Sequence, residues 1–160
     1  MYNVGDKIVY PMHGAGIIES IEEKEVLGYK QNYYIVKMPI GDMKVMIPIE
    51  HTCEIGIREV IGKQEVEKVL SVFCKTENNL NSNWTKRYRE NMVKIKSGNI
   101  YEVADVVRSL MLRDKEKGLS TGERKMLCSA KQILISELVL AEGVGQKEIE
   151  KMINEHIGID

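Results

Sequence analysis

The hydrophobic period of the chain changes once, near Gly62, and that change limits the fold to a β-rich part followed by a helical part. From residue 4 to about 60, apolar and polar residues alternate in KIVYP, GAGIIESIEEKEV, QNYYIVKMPI and MKVMIPIE, separated by HG, LGYK and IGDM. Val, Ile and Tyr dominate these runs, and Gly28 and Gly41 sit in the connections. Breaks at intervals of roughly 8 to 12 residues predict short antiparallel strands in a small barrel or a strongly bent sheet. Pro11, Pro39 and Pro48 fall at or near strand ends, where a missing N–H does least harm.

After Gly62 the spacing is helical. Val66, Val69, Leu70 and Phe73 form an i, i+3, i+4, i+7 stripe on a short helix ending near Cys74. The polar stretch KTENNLNSN, residues 75–83, leads to an N-cap at Ser82 or Asn83, and a helix follows from about 83 to 97, stopped by Gly98. Asn99 with Glu102 predicts a third helix to about 117, and the S-x-x-E capping box of Ser120 and Glu123 a fourth to about 141. A last amphipathic piece, 146–157, carries Ile149, Met152, Ile153 and His156 on one side. The expected fold class is α+β in two modules, a β module over 1–60 and a compact all-α domain over 61–160.

A net charge of -1 argues against a uniformly basic coat for nucleic acid, but the charges are segregated. Residues 71–126 hold 12 basic and 7 acidic side chains, a net of +5, while 1–70 hold 8 and 11 and 127–160 hold 3 and 6. That middle segment points to a localised anion-binding face. Cys53, Cys74 and Cys128 are far apart with no C-x-x-C, the pattern of free thiols in a reducing cytosol. MYNVGDKIVYP lacks the form of a signal peptide, and no window approaches the roughly 18 apolar residues of a membrane span. The expectation is a cytoplasmic protein with no membrane contact.

Little in the sequence suggests catalysis. HGAGII, residues 13–18, leads into a strand, so no helix N-terminus is there to receive a phosphate; Gly14 and Gly16 are expected to supply backbone angles that other residues avoid. His51 and Cys53 lack further ligands at metal-site spacing, and His13, His156, Cys74 and Cys128 do not supply them, so neither metal nor cofactor is expected. No nucleophile stands with a base and no two carboxylates have contrasting settings, so no catalytic residue is assigned and the chain is not expected to be an enzyme. Glu22, Glu23 and Glu25 around Lys24 read as a solvated hairpin edge protected by charge.

NSNWTKRYRENMVKIKSG, residues 81–98, carries the one tryptophan, Trp84, among Lys86, Arg87, Arg89, Lys94 and Lys96. On a helix, Trp84, Tyr88, Asn91, Met92 and Ile95 share one face, with Lys86 and Arg89 to one side and Arg87 and Lys94 to the other. Periodicity alone would bury Trp84 with Tyr88, Met92 and Ile95. Its place in the first turn also lets it project past the bundle as an apolar wedge or stacking platform on nucleic acid, with the cations on phosphates. Arg108, Arg113, Arg124 and Lys125 on neighbouring helices could extend the basic patch.

VGDKIVYPMHGAGIIESIE, GDMKVMIP, NWTKRYREN and VADVVRSLMLRDKEKGLSTGERKMLCSAKQILISEL together resemble the CarD/CdnL family of bacterial transcription regulators over nearly the whole length. The first module alone also resembles the RNA-polymerase-interacting domain of the transcription-repair coupling factor. The resemblance implies a Tudor-like (SH3-like) bent antiparallel β-barrel that docks on the RNA polymerase β subunit, followed by a helical domain that touches promoter DNA. It makes Trp84 a wedge at the upstream edge of the transcription bubble, with Lys86, Arg89 and Arg124 on the DNA backbone and Arg87 in the same DNA-binding set. On the polymerase side, Lys24 and Met46 stand where the family has arginines, and Lys44 shares a strand face with Met46; a lysine keeps the charge but not the planar fork. The implied outcome is a stabilised open complex without catalysis or strict sequence readout, by a protein that is a monomer when bound to polymerase. An interaction adaptor with Trp84 buried and no DNA contact is the alternative.

Overall fold

The computed structural model describes residues 1–75 and 83–158. Five antiparallel strands form one sheet: β1 (Lys7–Tyr10), β2 (Gly14–Val26), β3 (Tyr29–Lys37), β4 (Lys44–Pro48) and β5 (Arg58–Glu59), in the order β4-β3-β2-β1-β5. Alternation sets the inner face, where Ile8, Ile18, Tyr34, Val36, Met38 and Ile47 make one cluster. A register shift between Ile18 and Ser20 bends the long β2 across the others, as expected of a bulge. A short helix, α1 (Thr52–Ile55), ends on Gly56 in the left-handed conformation and turns the chain back so that β5 pairs with β1.

The helices follow at the predicted places: α2 (Val66–Ser71) continued by a 3-10 turn over Val72–Cys74, then α3 (Trp84–Lys96), α4 (Ile100–Lys117), α5 (Thr121–Glu142) and α6 (Gln146–Ile157). Asn83 is the N-cap of α3, its side chain accepting from the Lys86 N–H. The alternative cap Ser82 and most of the expected polar loop lie outside the described residues. Asn99 caps α4 through the Tyr101 N–H. Val69, Leu70, Phe73, Val107, Leu110, Leu134 and Leu138 belong to the helical core, and Ile149 and Ile153 bury one side of α6 in it. Among the described residues no helix is long and apolar enough to cross a membrane.

The two parts meet along the C-terminal half of α5, a contact the sequence did not reveal. Gly14 has φ +109°, and a Cβ there would fall 2.7 Å from Ser136 Oγ, so β2 begins pressed onto the helix. The Ala15 N–H donates to Ser136 Oγ at 2.8 Å. Gly16 corrects the expectation of an unusual backbone angle: its φ is not positive, but a Cβ would approach Val36 Cγ1 to 2.5 Å and the Lys37 carbonyl oxygen to 2.8 Å. Close approach, not φ, requires that glycine.

An ion pair with a buried carboxylate fastens the same junction. Arg58 reaches from β5 and donates to both carboxylate oxygens of Glu137 on α5, at 2.7 and 2.8 Å. The Ile61 N–H adds a third bond to Glu137 at 3.0 Å, and Arg58 Nε holds the Gly98 carbonyl between α3 and α4 at 2.9 Å. The Glu137 side chain is 3 % exposed and that of Arg58 32 %, so removing the acid strands a largely covered cation. Glu137→Ala is expected to cost about 3 kcal/mol, read as a lowered urea midpoint, with sheet and helices no longer melting together.

Candidate nucleic-acid interface and the sheet face

Trp84 opens α3, where no preceding helical turn exists to cover it, and it is 45 % exposed. Its ring stacks on Tyr88 one turn later, with centroids 5.4 Å apart and planes 24° from parallel. Its Nε1–H donates to Ser120 Oγ at 3.0 Å. Both rings lie along Gly122, whose Cβ position is 3.7 Å from Trp84 Cζ2 and 3.9 Å from Tyr88 Cε2. The indole is therefore half-covered and held in place at the start of α5, while Ile95 is buried and Tyr88 and Met92 pack against the core.

Ser120 is the N-cap of α5, its Oγ accepting the Glu123 N–H at 3.2 Å. Half of the capping box forms. The Glu123 carboxylate, 2 % exposed, receives Arg87 Nε at 2.9 Å and another guanidinium nitrogen at 3.1 Å, with the Ser120 hydroxyl 3.4 Å away. Burial pushes the Glu123 carboxyl up, but the hydrogen bonds and charge of Arg87, helped by the Arg113 charge and by Ser120, hold it below the usual carboxylate range.

This geometry sorts the expected basic set. Lys86, Arg89 and Arg124 are exposed near the first turns of α3 and α5, and Arg124 Nε donates to the Leu119 carbonyl at 3.2 Å. Arg87 is 7 % exposed, and its place on the bonded side of α3 conflicts with the expectation of a direct DNA contact. Arg108 is also buried, bonded to Asp105 and the Lys75 carbonyl, and Lys94 pairs with the same aspartate at 2.6 Å, so neither extends an open patch. Burial raises the Asp105 carboxyl, while Lys94 and Arg108 outweigh it and bring it below its ordinary value. Lys125 is exposed beside Arg124, and Arg113 is half-buried.

Lys24, Lys44 and Met46 lie on the outer face of the sheet. The register sets Lys24 opposite Gln31, Lys44 opposite Lys37 and Met46 opposite Ile35, and directly opposed residues share a face. All three are exposed, but Lys24 pairs with Glu22 at 3.5 Å and Lys44 with Glu19 at 2.9 Å. The hydrogen bond and charge of Glu19 raise the Lys44 pKa.

The chain matches the family described as CarD, C-terminal domain, over residues 68–154, and the CarD-like/TRCF RID domain over residues 2–61. The chain belongs to the CarD family. A Bacillus subtilis (strain 168) protein, YdeB, is 47% identical over 150 residues, which is 94% of this chain and 98% of that protein. Its name makes it a candidate transcription factor. CarD membership places the chain in a family of transcription factors.

Sequence reasoning missed the Arg87–Glu123 pair and its link to Trp84. Tyr88 as a stacking partner was legible, since residues four apart meet on a helix. Acrylamide is expected to reach the single tryptophan, with emission between that of buried and free indole; a blue-shifted, shielded emission would contradict the observed exposure. Glu123→Gln is expected to cost about 3–5 kcal/mol near neutral pH, since it strands buried Arg87. Because the native carboxyl pKa is lowered, the pair's stabilisation is complete above the ordinary value of about 4.3 and is lost as pH falls through the native one. The deficit of Glu123→Gln in urea melts should therefore narrow in acid.

Proposed function

We propose that the protein docks on the RNA polymerase β subunit through the outer face of its sheet, around Lys24, Lys44 and Met46. The helical part then stabilises the open promoter complex. In this reading residues 1–60 are the docking module and 61–160 the DNA-contacting one. Trp84 sets its free side against the upstream edge of the melted DNA, and Lys86, Arg89 and Arg124 neutralise nearby phosphates. Arg87 acts through Glu123 and Ser120 on the seat of Trp84 and not on DNA. The observation that carries the reading is the half-exposed indole, fixed by Ser120 and Tyr88 among exposed cations.

The energetic requirement is modest. A ligand that fits melted DNA better than duplex shifts the closed-to-open equilibrium by the difference in its affinities for the two states. A stacked aromatic supplies about 1–3 kcal/mol, a shift of roughly tenfold to hundredfold. Attachment to polymerase provides the local concentration, so a chain of net charge -1 need not hold DNA tightly alone. The spacing suits the division of labour, since Ser120 and Ser136 lie about 24 Å apart along α5.

Trp84→Ala is expected to leave polymerase binding intact and to shorten the open-complex lifetime about tenfold or more, measured by competitor challenge on a linear promoter. An unchanged lifetime in a folded variant overturns the wedge assignment. Footprints of polymerase on the same promoter should gain protection at the upstream bubble edge with the wild-type protein and lose it with the variant.

A further inference from the structure

The hairpin between β2 and β3 carries apolar side chains where its geometry is least suited to them. Leu27 and Gly28 close it beyond the Val26–Tyr29 pair, with φ of +52° and +81°. A two-residue turn with both central residues at positive φ favours Asn–Gly, because asparagine and glycine tolerate the left-handed region and leucine does not. Leu27 is nevertheless 93 % exposed, so no packing among the described residues offsets the strain. Tyr29 beside it is 73 % exposed and Val26 47 %.

The tip continues the outer face of the sheet. Val26 stands two residues beyond Lys24 on β2, and Tyr29 lies opposite Val26, so both point to the side that carries Lys24 and, further along, Met46. Lys24 and Lys44 on that side are already paired with Glu22 and Glu19. A ridge on which Lys24 and Lys44 are paired, with Lys37 the remaining lysine opposite Lys44, and whose end is apolar suits a protein surface better than nucleic acid or an anionic membrane, which call for clustered free cations. A leucine, a tyrosine and a valine expose a few hundred Å² at most, against about 800 Å² per partner in a stable complex, so the tip alone cannot hold a second copy of this chain. Added to the adjoining sheet face, it can complete an interface.

We propose that the Val26–Tyr29 tip is an apolar anchor that inserts Leu27 into a shallow non-polar depression on RNA polymerase, beside the surface that meets Lys24 and Met46. This rests on the docking reading given above. It makes leucine at a strained turn position a binding residue, and it shifts the weight of docking from charge to apolar burial.

The test is the affinity of the full-length protein for purified RNA polymerase, compared for wild type, Leu27→Asn, Leu27→Met and Tyr29→Ser. Leu27→Asn installs the residue the turn prefers, so its thermal midpoint should equal or exceed that of wild type while its affinity falls about tenfold or more. Leu27→Met keeps the apolar contact and should bind near wild type; Tyr29→Ser should weaken binding. Undiminished binding by Leu27→Asn, when wild type binds, overturns the anchor but leaves docking through the sheet face standing. A midpoint and an affinity that fall together in Leu27→Asn also overturn it, since the residue is then structural. Sedimentation in which Leu27→Asn abolishes a wild-type dimer at unchanged polymerase affinity would make the tip a self-contact instead. Failure of the wild type to bind polymerase at all overturns the docking reading itself, and the anchor with it.

Discussion

Burying a carboxylate is costly unless donors or a cation meet it, and α5 buries two carboxylates, each bonded to an arginine from another element. Glu123 lies in its first turn and Glu137 in its last third, about 21 Å apart along the axis. Glu123 takes Arg87 from α3, and Glu137 takes Arg58 from β5. Each arginine fastens a different end of the molecule to one helix. Arg58 ties the sheet to α5 and also holds the turn at Gly98. Arg87 draws the first turns of α3 against the start of α5, where Trp84 finds Ser120. The position of the indole relative to the sheet is thus set through one helix and two ion pairs, one buried and one partly so.

The local elements were legible because local rules decide them. Alternation gave β1 to β4, and the stripes with Asn83, Asn99, Ser120 and the stopping glycines gave α2 to α6 to within a few residues, while the short α1 and the two-residue β5 carry no such pattern. Charged partners distant in sequence were not legible. Arg87 and Glu123 are 36 residues apart and Arg58 and Glu137 are 79, and nothing in either segment marks its partner. A helical wheel set Arg87 beside Lys94 on one flank of the apolar stripe, yet packing against α5 buries Arg87 while Lys94 stays partly exposed beside α4. Glu123 looked like the second half of a capping box, but a buried guanidinium is a stronger partner for its carboxylate than a backbone N–H. Gly14 and Gly16 were recognised as necessary, while the reason at Gly16, contact with Val36 and Lys37, exists only once the strands have paired.

The same division runs through the candidate site. Trp84, Lys86, Arg89 and Arg124 were named through the family resemblance, and the structure leaves each of them exposed or half-exposed near a helix start. Arg87 could not be separated from them by residue type, since an arginine that contacts phosphate and one that anchors a glutamate read alike in sequence. Burial separates them. It also changes what Arg87 contributes: its hydrogen bonds keep the Glu123 carboxylate beside the Ser120 hydroxyl that holds the indole.

That fixed seat bears on what kind of DNA contact the proposed function can involve. One face of the indole is taken by Tyr88 and its nitrogen by Ser120, so a base has only the opposite face and the outer edge to meet. Insertion between two stacked base pairs needs both faces free. Contact with the last pair of a duplex needs one. A bubble edge offers such a terminal pair, and an indole already stacked and hydrogen-bonded loses little freedom on meeting it, so more of the contact energy remains to favour the open state. Uninterrupted duplex presents no exposed terminal pair, and for that reason the same residue can discriminate between closed and open promoter without reading any base.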